Sequence, residues 1–192
     1  MTAQRIKEAA LRCFAEHGYE ATSLAQIANE VGIKKPSIYA HFKSKDDLLF
    51  LLIHDVYQIE TQFIRAFLEE QKENSLDVLL PTLLHSFQKK YEQSDLFRFW
   101  LRMAFFPPSS MMEEISKSTN NYYDEWEALL IPIFTEAKKT GEIQIDDPSE
   151  AAIAFFCLVD GLFAELLFGG VDRFEKRWKA SWKIYAKGLA IL

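Results

Sequence analysis

Apolar positions return every three or four residues along most of the chain, a period that predicts amphipathic helices rather than strands. Ile6, Ala9, Ala10, Cys13 and Phe14 form one stripe over about Ala3 to His17, and Gly18 stops it. Thr22 or Ser23 caps a short helix over Leu24 to Val31 that ends at Gly32. A second short helix runs from Lys35 or Pro36 to His41 or Phe42. Pro36 falls in its first turn, where the missing N–H costs nothing. Two short helices joined by a tight glycine-containing turn predict a helix-turn-helix.

Ser44 caps a long helix that starts near Lys45, with Asp46 and Asp47 in the first turn, where carboxylates complement the helix dipole. Leu49, Ile53, Val56, Phe63 and Phe67 carry its stripe to about Glu70, a length of roughly 40 Å. Helical patterns then run from Leu76 to Tyr91, Asp95 to Phe106 and about Ser109 to Lys139. Pro107 and Pro108 separate the last two, and Pro132 is placed to kink the last. A turn-rich stretch, Thr140 to Pro148, precedes two closing helices, about Ser149 to Phe168 and Val171 to Ile191. The expected fold is all-α: an N-terminal three-helix helix-turn-helix domain over residues 1–48, then a larger helical domain over residues 49–192.

Composition supports a buried core: 49% of residues are hydrophobic and 26% charged, which excludes a disordered chain. Cys13 and Cys157 lie far apart inside apolar patterns, so packed thiols are expected rather than a disulfide or a zinc site. The N-terminus carries charges throughout and lacks the apolar core of a secretory signal. Asp160 and Glu165 interrupt the most apolar stretch, so no membrane-spanning segment is expected and the cytoplasm is the expected location.

A net charge of −6 argues against nucleic acid only if charge is averaged over the chain. Residues 1–48 hold seven Lys or Arg against six Asp or Glu, and the acidic excess lies in the remainder. Lys34, Lys35, Lys43 and Lys45 occur within twelve residues without an intervening acid, a local cationic patch suited to phosphates. Ile27, Ala28, Val31, Ile33 and Ile38 supply the contact between the two short helices. Lys34, Lys35, Ser37, Tyr39 and His41 are left to face DNA.

The run Thr22-Ser23-Leu24-Ala25-Gln26-Ile27-Ala28, then Val31-Gly32-Ile33, then Ser37 through Lys45 with Leu48, resembles the signature of the TetR family of transcriptional regulators. The likeness covers about the first 50 residues closely. Beyond them it rests on length, the helical pattern and the Gly141-Glu142-Ile143 and Asp160-Gly161 pieces. The resemblance implies that Ser23 and Lys45 hold phosphates and that Tyr39 and His41 brace the backbone. Lys34, Lys35, Ser37 and Ile38 would then reach base edges or lie near them. It further implies a homodimer in which the two closing helices pair with their copies in a four-helix interface, with Gly161 and Ala164 permitting close approach.

The middle helices carry a surplus of aromatic and Met residues. Together with residues of the first closing helix they supply candidates for a small-molecule site: Phe99, Trp100, Met103, Phe106, Met111, Tyr122, Trp126, Phe156, Asp160 and Phe163. Large flexible apolar groups with the polar tips of Tyr and Trp suit a hydrophobic or amphipathic effector. Asp160 and Glu165 add a preference for a cation, or else bond across the dimer face. An ordinary core is the other reading of these stripes.

No enzyme constellation is present: there is no glycine-rich phosphate loop and no nucleophile elbow, and His17, His41, His54 and His85 are scattered. No cofactor or metal is expected. The expected function is a cytoplasmic, ligand-released repressor whose partners are operator DNA, a small-molecule effector and a second copy of the chain, with no membrane. The alternative is a helical protein-interaction module without specific DNA binding.

Overall fold

The computed structural model describes residues 2–190. In chain order the helices are α1 (Thr2–His17), α2 (Leu24–Val31), α3 (Lys35–Ile38), α4 (Lys45–Glu70), α5 (Leu76–Gln93), α6 (Asp95–Phe105), α7 (Met112–Thr140), α8 (Pro148–Phe168) and α9 (Gly170–Gly188), with a 3-10 turn at Ser109–Met111 before α7. No strand occurs among the described residues, so the fold is all-α. The expected end of the last helix, Ile191, lies outside the described residues. The second short helix is shorter than its pattern suggests. After Ile38 the chain continues as turns, with the amides of His41 and Phe42 both donating to the Ile38 carbonyl.

The chain packs as two compact units, residues 1–60 with 93–119 and residues 61–92 with 120–192. This division differs from a cut at residue 48, because packing assigns α6 and the first part of α4 to the same unit as the helix-turn-helix. The physical reason is a shared core: α1 packs on both α2 and α6, and Phe14 stacks on Phe99 at 6.3 Å between ring centres. Arg102 of α6 also reaches the end of α1, where it donates to the Ala15 carbonyl at 3.4 Å. Lys7 on α1 pairs with Asp55 on α4 at 2.6 Å.

In the second unit α8 packs lengthwise on α9. Phe155, Val159, Leu162 and Leu166 are buried on α8, as are Phe174 and Trp178 on α9. By length and composition α8 is apolar enough to cross a membrane despite Asp160 and Glu165. Half of it is nevertheless buried against its own chain, as for the core helix of a globular domain. Glu165 is matched by Arg173 at 2.8 Å and Arg177 at 2.6 Å. The outer side of the α8–α9 pair stays apolar, with Ile153, Phe168 and Ile184 exposed and a shallow groove lined by Cys157, Leu158, Gly161 and Ala180. Cys157 is thus exposed rather than packed, whereas Cys13 is buried.

Candidate functional site

The helix-turn-helix is built by local chemistry. Ser23 accepts a hydrogen bond from the Gln26 amide at 3.2 Å, and the Gln26 side chain accepts one from the Ser23 amide at 2.7 Å, a capping box that starts α2. At the other end Gly32 adopts φ +76°, and the amides of Gly32 and Ile33 return to the carbonyls of Asn29 and Ala28. That left-handed residue suits glycine, and the paired bonds satisfy the last carbonyls of α2. Thr22, which shared the capping expectation with Ser23, is instead buried, and its hydroxyl donates to the Gly18 carbonyl at 2.8 Å.

Leu24, Ile27, Ala28, Val31, Ile38 and Phe42 turn inward, and Lys34, Lys35, Ser37, Tyr39, His41 and Lys43 are exposed. A continuous run of cations, hydroxyls and an imidazole therefore faces solvent from the turn through α3 and beyond. Tyr39 is 52% exposed, a large aromatic with no role in the core. Ser23 is exposed too. Its oxygen serves the cap, and its hydroxyl proton remains to donate to an anion.

Two expectations change. Ile38 is fully buried, so it cannot touch a base; it is the hydrophobic anchor that holds α3 on α2. Lys45 is half-buried and donates to the carbonyls of Tyr19 at 2.8 Å and Thr22 at 2.9 Å, which leaves one of its three protons for a phosphate. Nothing in the local pattern signals this, because the partners are backbone atoms more than twenty residues earlier.

The ten candidate effector residues divide five and five between the units. In the first, Phe99, Trp100 and Met103 are at most 2% exposed, and Trp100 stacks on Phe97. Phe99 and Trp100 pack as core against the rings of Phe14 and Phe97. Phe106 is half exposed, Met111 is buried, and Met103 and Phe106 border a hollow of about 290 Å³ shared with Gly18, Tyr19 and Arg102.

In the second unit Tyr122, Trp126, Phe156 and Phe163 are buried in a chain of rings. Trp126 lies 5.2 Å from Phe87 and 5.5 Å from Phe156, and Phe87 lies 5.1 Å from Phe163. Asp160 is half-buried beside them, and burial pushes its carboxyl up to about 6 against the opposing hydrogen bond from Tyr123. Tyr123, 4.6 Å from Phe156, belongs to this group and is absent from the candidate set. A separate groove of about 800 Å³, lined by Arg65, Leu68, Leu76, Leu79, Leu129 and Ile133 among others, also lies in this unit and left no sign in the sequence pattern. No cluster able to hold a metal ion occurs among the described residues.

Residues 6–52 match the model of the bacterial regulatory proteins, tetR family. Over 194 residues the chain is 25% identical to the HTH-type transcriptional regulator YvkB of Bacillus subtilis (strain 168), covering 98% of this chain and 97% of that one. Its fold is that of FadR from Bacillus subtilis, solved with stearoyl-CoA: TM-score 0.71, 22% identity, 96% of this chain and 98% of the other. It is equally that of SmeT, solved with triclosan and described as repressor of the Stenotrophomonas maltophilia multidrug efflux pump SmeDEF: TM-score 0.73, 21% identity, 97% and 90% covered. The chain is similar over residues 6–52 to the tetR family of bacterial regulatory proteins and over nearly its whole length to an HTH-type transcriptional regulator. Such relatives are regulators by name, not enzymes.

Proposed function

We propose that the protein is a cytoplasmic homodimeric repressor that holds an operator through residues 23–45 and releases it when a small hydrophobic or amphipathic molecule binds among the aromatic residues of the second half of the chain. The observation that carries the DNA half is the uninterrupted exposed face of Lys34, Lys35, Ser37, Tyr39, His41 and Lys43, which holds no carboxylate. Lys34, Lys35 and Ser37 are the base-edge candidates, and Ser23, Tyr39 and His41 position the backbone, with the last Lys45 proton as a secondary phosphate contact.

Two fold neighbours support the effector half. One was solved with stearoyl-CoA, an amphipathic molecule with a long apolar acyl chain, and the other with triclosan, an apolar aromatic compound. The candidate for that chemistry is the aromatic group of Tyr122, Trp126, Phe156 and Phe163, because the half-buried acid Asp160 stands with it. Functionally, residues 1–48 remain the DNA-binding segment and residues 49–192 the sensing and dimerising segment. The helix α4 runs from Lys45 to Glu70 and is the chain segment that links the DNA-binding and sensing roles in this reading.

The dimer reading rests on the apolar outer side of α8 and α9. The proposed seam consists of Ile153, Gly161, Ala180 and Ile184, while Leu162 and Leu166 are buried in their own subunit. A twofold dimer calls for a pseudo-palindromic operator with half-sites roughly 34 to 36 Å apart. The test is a titration of pseudo-palindromic DNA from the protein's own upstream region, with and without apolar effectors. Tight binding that weakens with an effector is expected, and binding indifferent to sequence overturns the reading.

A further inference from the structure

The two half-buried or buried acids of α8, Asp160 and Glu165, are treated differently by the fold. Glu165 is matched by two arginines. Asp160 takes a hydrogen bond from Tyr123, but its Oδ1 is shielded from solvent and has no hydrogen-bond partner. The buried indole Nε1 of Trp126 likewise has no acceptor. A carboxylate oxygen that has lost water without gaining a donor is unfavourable, and a bound group that supplies an N–H removes the penalty.

The surroundings narrow the class of that group. Phe156 lies one helical turn before Asp160. The Tyr123 and Trp126 rings meet Phe156 edge-on, at interplanar angles of 65° and 84°. Aromatic rings grouped with a desolvated carboxylate favour an organic cation with an apolar body. A bare metal ion does not fit, since no second carboxylate or imidazole joins Asp160 in a ligating cluster among the described residues.

We propose that Asp160 Oδ1 anchors the protonated nitrogen of an aliphatic amine whose apolar body rests against Tyr123, Trp126 and Phe156. This rests on the effector reading above and names the class of effector. The amine keeps an N–H for Oδ1, which a quaternary ammonium ion lacks, and the Tyr123 hydroxyl holds the carboxylate in orientation.

The experiment is calorimetric titration of the full chain with phenylbutylamine, phenylbutyltrimethylammonium and phenylbutanol, at a pH well above the titration of Asp160. The amine is expected to bind about tenfold or more tightly than the alcohol, with the quaternary ion in between. Asp160→Asn should abolish the amine's advantage over the alcohol. Equal binding of amine and alcohol to the native protein overturns the proposal, as does no amine binding at all. A quaternary ion bound as tightly as the amine overturns the N–H bond to Oδ1. These native-protein comparisons decide the matter even if the variant folds poorly. A parallel operator titration separates the two readings. Asp160-dependent amine binding that leaves DNA affinity unchanged overturns the effector role and keeps the site. Release of DNA by phenylbutanol, with no amine preference, keeps the effector role and overturns the site.

Discussion

The Lys45 ammonium lies 4.0 Å from the centre of the Tyr19 ring and donates at 2.8 Å to the Tyr19 carbonyl. A second proton goes to the Thr22 carbonyl, and the Tyr19 hydroxyl is bonded to Asp46. The loop after α1 is thereby fastened to the first turn of α4. Ser23, which starts α2, follows that loop directly, so the pair positions the helix-turn-helix on the helix that carries the chain onward.

Lys45→Ala should therefore cost stability as well as DNA affinity. Two charge-assisted bonds to carbonyls and a cation–π contact are lost, on the order of 2 kcal/mol after allowance for partial exposure. Urea unfolding should show a lower midpoint. Lys34→Ala and Lys35→Ala, on exposed side chains, should stay within about 0.5 kcal/mol of the parent. An unchanged midpoint for Lys45→Ala would contradict the positioning role.

Titration of Asp160 makes stability depend on pH. Its carboxyl is raised to about 6 from an ordinary 3.8 by burial. Between those values the folded protein keeps a proton that the unfolded chain has lost, so this group's contribution to stability falls as pH rises and levels off above about 6. The difference in unfolding midpoint between parent and Asp160→Asn should change over that window in the same sense. A pH-independent difference would show that the carboxylate is not desolvated.

The two thiols should react at different rates. Burial first, and then the bond to Glu30, push the Cys13 thiol up to about 12, so little nucleophilic thiolate forms. Cys157 is exposed. In the monomeric Ile184→Glu variant an aromatic disulfide reagent should modify one thiol of the folded subunit, and Cys157→Ser should remove that reaction, while unfolding releases Cys13. Rapid modification of Cys13 in the native state would contradict its packing.

Ile184 is 69% exposed on the outer side of α9. Ile184→Glu should leave the subunit folded and yield monomers in sedimentation experiments, with operator affinity falling by at least an order of magnitude as bivalent binding is lost. A variant that remains dimeric would place the interface elsewhere.

Much of the helical layout was legible because it follows from spacing and punctuation. Ser44, Asp46 and Asp47 mark the start of α4, Gly32 the end of α2, and the Pro107-Pro108 pair the break after α6. The exposed polar face could be read for the same reason, since burying Ile27, Val31 and Ile38 leaves their polar neighbours outside. What could not be read depends on atoms far apart in sequence. Lys45 looked like a phosphate ligand because its carbonyl partners carry no sequence signal. Ile38 served two readings until its burial chose one. Phe99 and Trp100 are indistinguishable by type from Trp126 and Phe156. Only packing shows that the first pair closes a core with Phe14 and Phe97, whereas the second stands beside Asp160.

The most direct measurement is the affinity of the native protein for a fluorescent pseudo-palindromic operator fragment as a function of salt, compared with a Lys34→Ala, Lys35→Ala double variant. If the exposed face binds phosphates, log affinity falls linearly with log salt, with a slope of about −0.9 for each phosphate contacted. The double variant should bind more weakly and discriminate less between the operator and unrelated DNA, with a slope close to the parent's, because those two lysines are the base-edge candidates. Native binding that does not change with salt, or a variant with the parent's affinity and discrimination, would contradict the account.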